Sequence, residues 1–298
     1  MVQILLGILA VMALWFVFTF AMDLKKQPKG EVLEEGSVPA HSLIGFFINF
    51  FDTLGIGGFA PMTALFKQFG LVKDRIMPGT LNTAMCIPVI MEAFIFISEV
   101  KVETVTLVSM LVAATAGAII GAGFVAKLNE RKVQLYMGSA LLCVVLIMVS
   151  GKLGLMPVGG EAVGLTGAKL VIAVVANFIL GALMTLGIGL YAPCMALVYA
   201  LGMSPLVAFP IMMGSCAYLM PAASVKFIKE GAYNRKATFF NIIFGSIGVF
   251  VAAYLVKSLP LNILTWLVIC VITYTAYTLI RDSRKGADKE AAAELQQA

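Results

Sequence analysis

Charge is scarce in this chain, and histidine scarcer. Only 12% of the 298 residues are Asp, Glu, Lys or Arg, about half the share of an ordinary soluble domain. His41 is the sole histidine, so a His-based triad or the paired histidines of a zinc hydrolase cannot be built within one chain. Cys86, Cys143, Cys194, Cys216 and Cys270 all fall inside apolar stretches, with no Cys-x-x-Cys and no partner at metal-ligand spacing. They read as small buried hydrophobes rather than disulfides or ligands. No lysine or arginine occupies the centre of any apolar stretch. The net charge of +5 comes from short basic clusters between those stretches, which excludes a nucleic-acid-binding face.

What the chain has in excess is apolar surface. Hydrophobic residues make up 61% of the sequence, with a mean hydropathy of +0.99, more than a water-soluble core of this size needs. A bilayer core about 30 Å thick takes roughly 20 apolar residues per helix. Apolar runs cover 2–22, 41–66, 76–97, 105–126, 133–150, 170–201, 206–225, 237–256 and 261–280. The first lacks the basic start and small-residue cleavage site of a signal peptide and leads directly into Lys25, Lys26 and Lys29; it reads as a retained membrane helix. The expected class is an all-α polytopic membrane protein with the lipid bilayer as solvent. Its expected organisation is an N-terminal transmembrane helix (1–22), a cytoplasmic linker (23–39), a first transmembrane repeat (40–150), an extracytoplasmic loop (151–168), a second repeat (169–280) and a cytoplasmic tail (281–298).

The repeats declare themselves at two interruptions. Thr53-Leu-Gly-Ile-Gly-Gly-Phe-Ala-Pro-Met-Thr-Ala-Leu65 recurs as Thr185-Leu-Gly-Ile-Gly-Leu-Tyr-Ala-Pro-Cys-Met-Ala-Leu197, with nine of thirteen positions identical. The register persists, Gly70 falling on Gly202 and Pro78 on Pro210, with Glu99 and Gly117 echoed by Glu230 and Gly248. The chain is a duplication preceded by one extra helix.

Positive charge tells whether each interrupted run crosses the membrane or turns back, because short cytoplasmic loops collect Lys and Arg. With both runs re-entrant, all of the 21 lysines and arginines except Lys101, Lys152, Lys169 and Lys257 lie on the cytoplasmic side. With both runs crossing, that bias largely collapses. Re-entrance also makes each repeat span an odd number of times, so that the second is inverted relative to the first, a secondary-transporter design.

The interruptions carry the chemistry. Gly55, Gly57 and Gly58 permit backbone shapes that a side chain forbids, and Pro61 suits the first turn of a new helix; Gly187, Gly189 and Pro193 repeat the arrangement. A half-helix that starts inside the membrane offers free N–H groups and the positive end of its dipole, and two of them make a site for a small anion. The expected lining is Thr53, Gly55, Gly57, Gly58, Asn82, Thr185, Gly187, Gly189 and Ser215, with Gly57 and Gly189 in equivalent parts. The plainer reading is a pair of packing kinks. Asp52 lies eleven residues from His41, about 16 Å along a helix and so near the midplane, where an ionisable group is costly and marks coupling, gating or a hydrogen-bonded structural acid. Glu92, five residues from the end of its run, is expected to reach the interface. Gly117-x-x-x-Gly121 reads as a helix-packing face. Gly55-x-Gly57-x-x-Ala60 matches a dinucleotide fingerprint but has no preceding strand, so no cofactor and no metal is implied.

At these glycine breaks the sequence resembles the sulfite exporter TauE/SafE family of membrane permeases, from about residue 41 to 280. Gly55, Gly57, Gly58 and Pro61 match the first family motif, and Gly187, Gly189 and Pro193 the second; Phe59 and Ala60 intervene before the first proline, and Leu190 stands for a glycine in the second. The resemblance implies transport of a small anion, such as sulfite, thiosulfate, sulfate or an organosulfonate, across the cytoplasmic membrane, with the C-terminus inside. The alternatives are a membrane-embedded thiol or acyl-transfer enzyme using Cys86 or Cys194, which lacks an activating base, and a scaffold subunit, which has no use for a duplicated break. Direction of transport, coupling ion and the choice between monomer and homo-oligomer are left open.

The charge distribution predicts that 67–75 and 127–132 face the cytoplasm while Lys101 and 151–168 face outside. In a cysteine-less background, a cysteine placed within 67–75 and one at position 101 should react with an impermeant reagent from opposite sides. Reaction of both from the same side would overturn the re-entrant topology.

Overall fold

The computed structural model describes residues 2–27, 33–34, 36–125, 130–153, 160–184, 189–258 and 260–297, and among these every regular element is helical. After α1 (Val2–Lys26), the first half runs α2 (Val38–Thr53), α3 (Phe59–Gln68), a 3-10 turn at Asp74–Ile76, α4 (Met77–Glu99), α5 (Thr104–Val125) and α6 (Glu130–Lys152). The second half repeats this order with α7 (Gly167–Met184), α8 (Tyr191–Ala200), a 3-10 turn at Pro205–Val207, α9 (Ala208–Lys229), α10 (Arg235–Ser258) and α11 (Leu261–Gln297). The sequence duplication is therefore a duplication of elements, down to the ten-residue half-helices. α11 continues as helix through the charged segment after residue 280.

Six helices among the described residues are long and apolar enough to cross a membrane: Val2–Lys26, Met77–Glu99, Gln134–Lys152, Gly167–Met184, Pro205–Lys229 and Arg235–Leu255. They divide by burial. In α4 and in the helix ending at Lys229, 72% of the spanning window is buried by other helices, against 17% for α1. α4 and α9 form the central pair. An apolar helix without that cover, such as α1 with Val11, Leu14 and Phe18 exposed, has lipid as its natural neighbour.

Packing repeats along with order. α2 lies along α10 and α7 along α5, while α4 meets α9 and α6 meets α11, so exchanging the halves maps each pairing onto another or onto itself. Single atoms obey the same exchange. A Cβ on Gly248 of α10 would strike the Phe46 carbonyl of α2, and a Cβ on Gly117 of α5 would strike the Phe178 carbonyl of α7. Gly117 thus packs helices closely, as its sequence context suggests. These contacts run backbone to backbone, the approach that glycine alone permits.

Polar side chains inside the bundle close backbone valences. Pro88 interrupts α4 and has no N–H for the Ala84 carbonyl four residues earlier; Asn241 of α10 donates Nδ2 to that carbonyl at 2.6 Å. Asn241 Oδ1 in turn accepts from Asn49 Nδ2 of α2 at 3.1 Å. On the other side of the bundle Asn177 of α7 donates to the Met110 carbonyl of α5 at 2.7 Å.

The contacts at the two ends of the bundle fix where the chain turns. At one end, Asp23 and Glu34 meet Arg235 (2.7 and 3.4 Å), Lys236 donates to the Gly36 carbonyl, and Asn234 N–H donates to Thr80 Oγ1. The start of α2 and the start of α4 therefore lie at one end, and α2–α3 is a hairpin that returns to the side it left. At the other end, Glu103 N–H donates to the Val163 carbonyl, Ser204 N–H to the Ala162 carbonyl and Lys169 Nζ to the Leu201 carbonyl. The start of α7 and the end of α8 share that end. Tyr233 donates its hydroxyl to Asp23 at 2.6 Å and stacks under Arg235, tying α1 to the repeats; burial raises the Tyr233 phenol above its ordinary range, so it remains a donor.

Because the α5–α7 and α2–α10 contacts leave no room for a methyl group, Gly117→Ala and Gly248→Ala should each lower stability by about 1–3 kcal/mol, the usual cost of overpacking. Gly7→Ala, where a Cβ meets nothing within 4 Å, serves as control. Thermal unfolding of the purified variants in detergent reads this, and unchanged midpoints for both variants would mean that the contact is slack.

Candidate functional site

The first break begins where α2 runs out of side chains that hold a helix. Gly55 and Gly57 sit at φ +94° and +85°, a region open to glycine at little cost. The Gly55 N–H still reaches the Asp52 carbonyl (2.7 Å) and the Ile56 N–H the Phe51 carbonyl (3.3 Å). Gly58 then starts α3, and its N–H donates to Asp52 Oδ1 at 2.6 Å. The carboxylate thus caps the new half-helix from the preceding one, where the dipole favours a negative group. Pro61, at the third position of α3, has no N–H to leave unpaired.

Asp52 is not alone. Glu92, from the middle of α4, is fully buried, and the expectation that it reaches the interface is corrected: α4 is enclosed over most of its length, so five residues of helix do not bring it to solvent. Its Oε1 lies 2.8 Å from Thr53 Oγ1, and its Oε2 accepts from the Tyr191 hydroxyl at 2.9 Å. Tyr191 is the first residue of α8. One carboxylate therefore joins the first break to the second half-helix. Met195 of α8 and Met212 of α9 close over Gly55, and Cys216 packs on Met184 at 3.6 Å. Asp52 Oδ2 is buried with no hydrogen-bond partner, and neither carboxylate forms a salt bridge among the described residues. Two ionised carboxylates here would each carry a desolvation penalty of several kcal/mol with no cation to offset it. The chemistry open to this cluster is to hold a proton or to receive a cation.

Of the sequence-predicted lining, Asp52, Thr53, Gly55, Gly57 and Gly58 come together at the first break. Gly189 precedes α8, with open space where a Cβ would stand. Thr185 and Gly187 lie outside the described residues. Ser215 lies between the Ile211 carbonyl and Asn177, while Asn82, half-buried, donates to its own helix at the Pro78 carbonyl. Glu92 and Tyr191 are the residues that sequence reasoning missed. The signal was in the repeat, where Tyr191 replaces Phe59 and so puts a hydroxyl on the second half-helix alone. No group of three or more His, Cys, Asp or Glu able to hold a metal ion occurs among the described residues.

Residues 1–148 match the family model described as Sulfite exporter TauE/SafE, which bears out the resemblance read from the glycine breaks. The match begins with α1, which the repeat left outside, and ends within α6; the second half stands on the internal repetition. No curated protein and no solved structure matches the chain.

Gly57 has positive φ and open space where a Cβ would stand. Gly57→Ala should therefore cost about 1–2 kcal/mol of backbone strain, while Gly7→Ala, equally uncrowded but inside α1, should carry no such cost. Thermal midpoints of the two variants, measured side by side, check this; equal effects would show that φ at Gly57 is not what the glycine supplies.

Proposed function

We propose that the chain is a permease that carries a small oxidised sulfur anion across the cell membrane, through a site formed where the two broken hairpins meet. The multi-pass helical architecture and the TauE/SafE match over residues 1–148 support this general class. One observation carries the site: Tyr191, at the head of the second half-helix, reaches Glu92 beside the first break. Two half-helix starts linked through the Glu92 carboxylate give a pair of positive dipole ends, each equivalent to about half an elementary charge, where no lysine or arginine is available. In this reading the anion is held by backbone N–H groups of Gly57, Gly58, Gly187 and Gly189, with Thr53, Gly55 and Thr185 alongside and Asp52 as the coupling or gating group.

The end contacts support two repeats that cross the membrane in opposite senses: the first hairpin opens at the end that carries Asp23 and Arg235, the second at the end that carries Glu103 and Lys169. In this reading the Arg235 end, with the C-terminus, faces the cytoplasm, as the excess of Lys and Arg at that end supports. Enzymatic use of the thiols has no comparable support, since Cys86 and Cys194 are buried and the single imidazole, His41, packs on Phe66 at the far end of α2.

Liposomes holding the purified protein should take up at least one of labelled sulfite, thiosulfate, sulfate or taurine, above protein-free liposomes, when tested with and without a proton gradient. Gly57→Val, which places a branched side chain at positive φ in the site, should abolish that flux while the protein stays folded. Absence of flux for all four solutes would overturn the substrate class; normal flux in Gly57→Val would move the site elsewhere.

A further inference from the structure

We propose that Asp52 and the transported anion compete for the same backbone N–H, so that the anion binds only as Asp52 takes up a proton. This rests on the anion-permease reading and adds the means of its coupling. The Gly58 N–H at the head of α3 is the donor that an anion at this half-helix would use, and in the structure it is taken by Asp52 Oδ1 at 2.6 Å. The carboxylate is itself an anion bonded to a helix N-terminus. Its second oxygen, Oδ2, is buried without a partner, and the side chain is 3% exposed, so the group is both aimed at the helix head and incompletely satisfied there.

The surroundings favour one proton for the pair at rest. Thr53 Oγ1 lies within hydrogen-bond distance of two acceptors, the Asn49 carbonyl (2.7 Å) and Glu92 Oε1 (2.8 Å), but has one hydrogen to give. With Thr53 donating to Asn49, a protonated Glu92 donates to Thr53 Oγ1 and accepts from Tyr191, and every contact is satisfied. Asp52 is then the ionised member of the pair. The titratable groups that face the two carboxylates are Glu92 from α4, Tyr191 from α8 and Cys216 from α9; none of them brings a positive charge.

An anion entering this cluster beside an ionised Asp52 would place two negative charges on one helix head in a low-dielectric interior, an arrangement that like charges at close range resist. If Asp52 gains a proton, Oδ1 leaves Gly58, the N–H turns to the anion, and the new carboxylic O–H is free to donate. Glu92 keeps its proton throughout. By linkage, proton uptake on binding and pH dependence of affinity are one quantity. Affinity should fall about tenfold per pH unit wherever Asp52 is ionised in the free protein, one proton being taken up per anion.

Isothermal titration of the purified protein with thiosulfate and with sulfate, in buffers of different ionisation enthalpy, counts these protons directly. The wild-type protein should take up about one proton per bound anion, and Asp52→Asn, which cannot ionise, should bind without uptake and without the tenfold loss. Wild-type binding with no proton uptake from pH 5 to pH 9 would overturn the competition and leave the anion site standing. Uptake that persists unchanged in Asp52→Asn would assign it to another group and overturn the proposal as well. If neither anion binds either protein at any pH, the permease reading for these substrates fails and the competition fails with it. Should Asp52→Asn not fold, the wild-type proton count decides by itself.

Discussion

Every backbone N–H and carbonyl inside a bilayer has to find a partner within the protein, and the rest of this structure depends on how that demand is met where two helices are broken. A break at membrane depth releases donors at the head of the following half-helix. The chain answers at the first break with a carboxylate, Asp52, on the Gly58 N–H. That answer replaces an unpaired donor with a buried carboxyl group, which itself has to be kept from lipid. Enclosure comes from α4 and α9, which bring Glu92, Met212 and Cys216 to the break and shut it off from lipid. The central pair is therefore the most buried of the spans, while α1 stays at the edge.

The same constraint explains the other polar side chains in the bundle. Asn241 serves the carbonyl that Pro88 leaves without a donor, and Asn177 bridges α7 to α5. These amides sit on helices that are not counterparts in the two halves, Asn241 on α10 and Asn177 on α7. The backbone approach is shared, with Gly117 against Phe178 and Gly248 against Phe46; the polar residue that lies across each contact was chosen separately. Duplication preserved the geometry and let the chemistry diverge.

Divergence is sharpest at the candidate site. Asp52 corresponds to Met184 in the second repeat, and Glu92 to Ser224. The first repeat supplies both carboxylates and the second supplies the phenol of Tyr191. A symmetric scaffold thus surrounds an asymmetric cluster, and an asymmetric cluster can hold a single proton in a defined place. Proton chemistry at such a cluster needs no basic side chain, because the half-helix dipole offsets the charge of a carboxylate beside it.

The sequence by itself determined the membrane setting, the duplicated elements and the positions of both breaks, since these follow from residue composition and from local backbone preference: glycine where φ turns positive, proline where a helix starts. Asp52, Thr53 and Gly58 were legible as neighbours because they lie within one short stretch. Tertiary structure alone decided the rest. Burial of Glu92 depends on α9 and α8 meeting α4 from 99 residues away or more in sequence, and counting residues to the end of a run cannot register that enclosure. The bond between Ser215 and Asn177 is likewise visible only once α9 meets α7. Local chemistry is written in the order of residues, whereas the partner that each buried polar atom finds is set only when the helices meet.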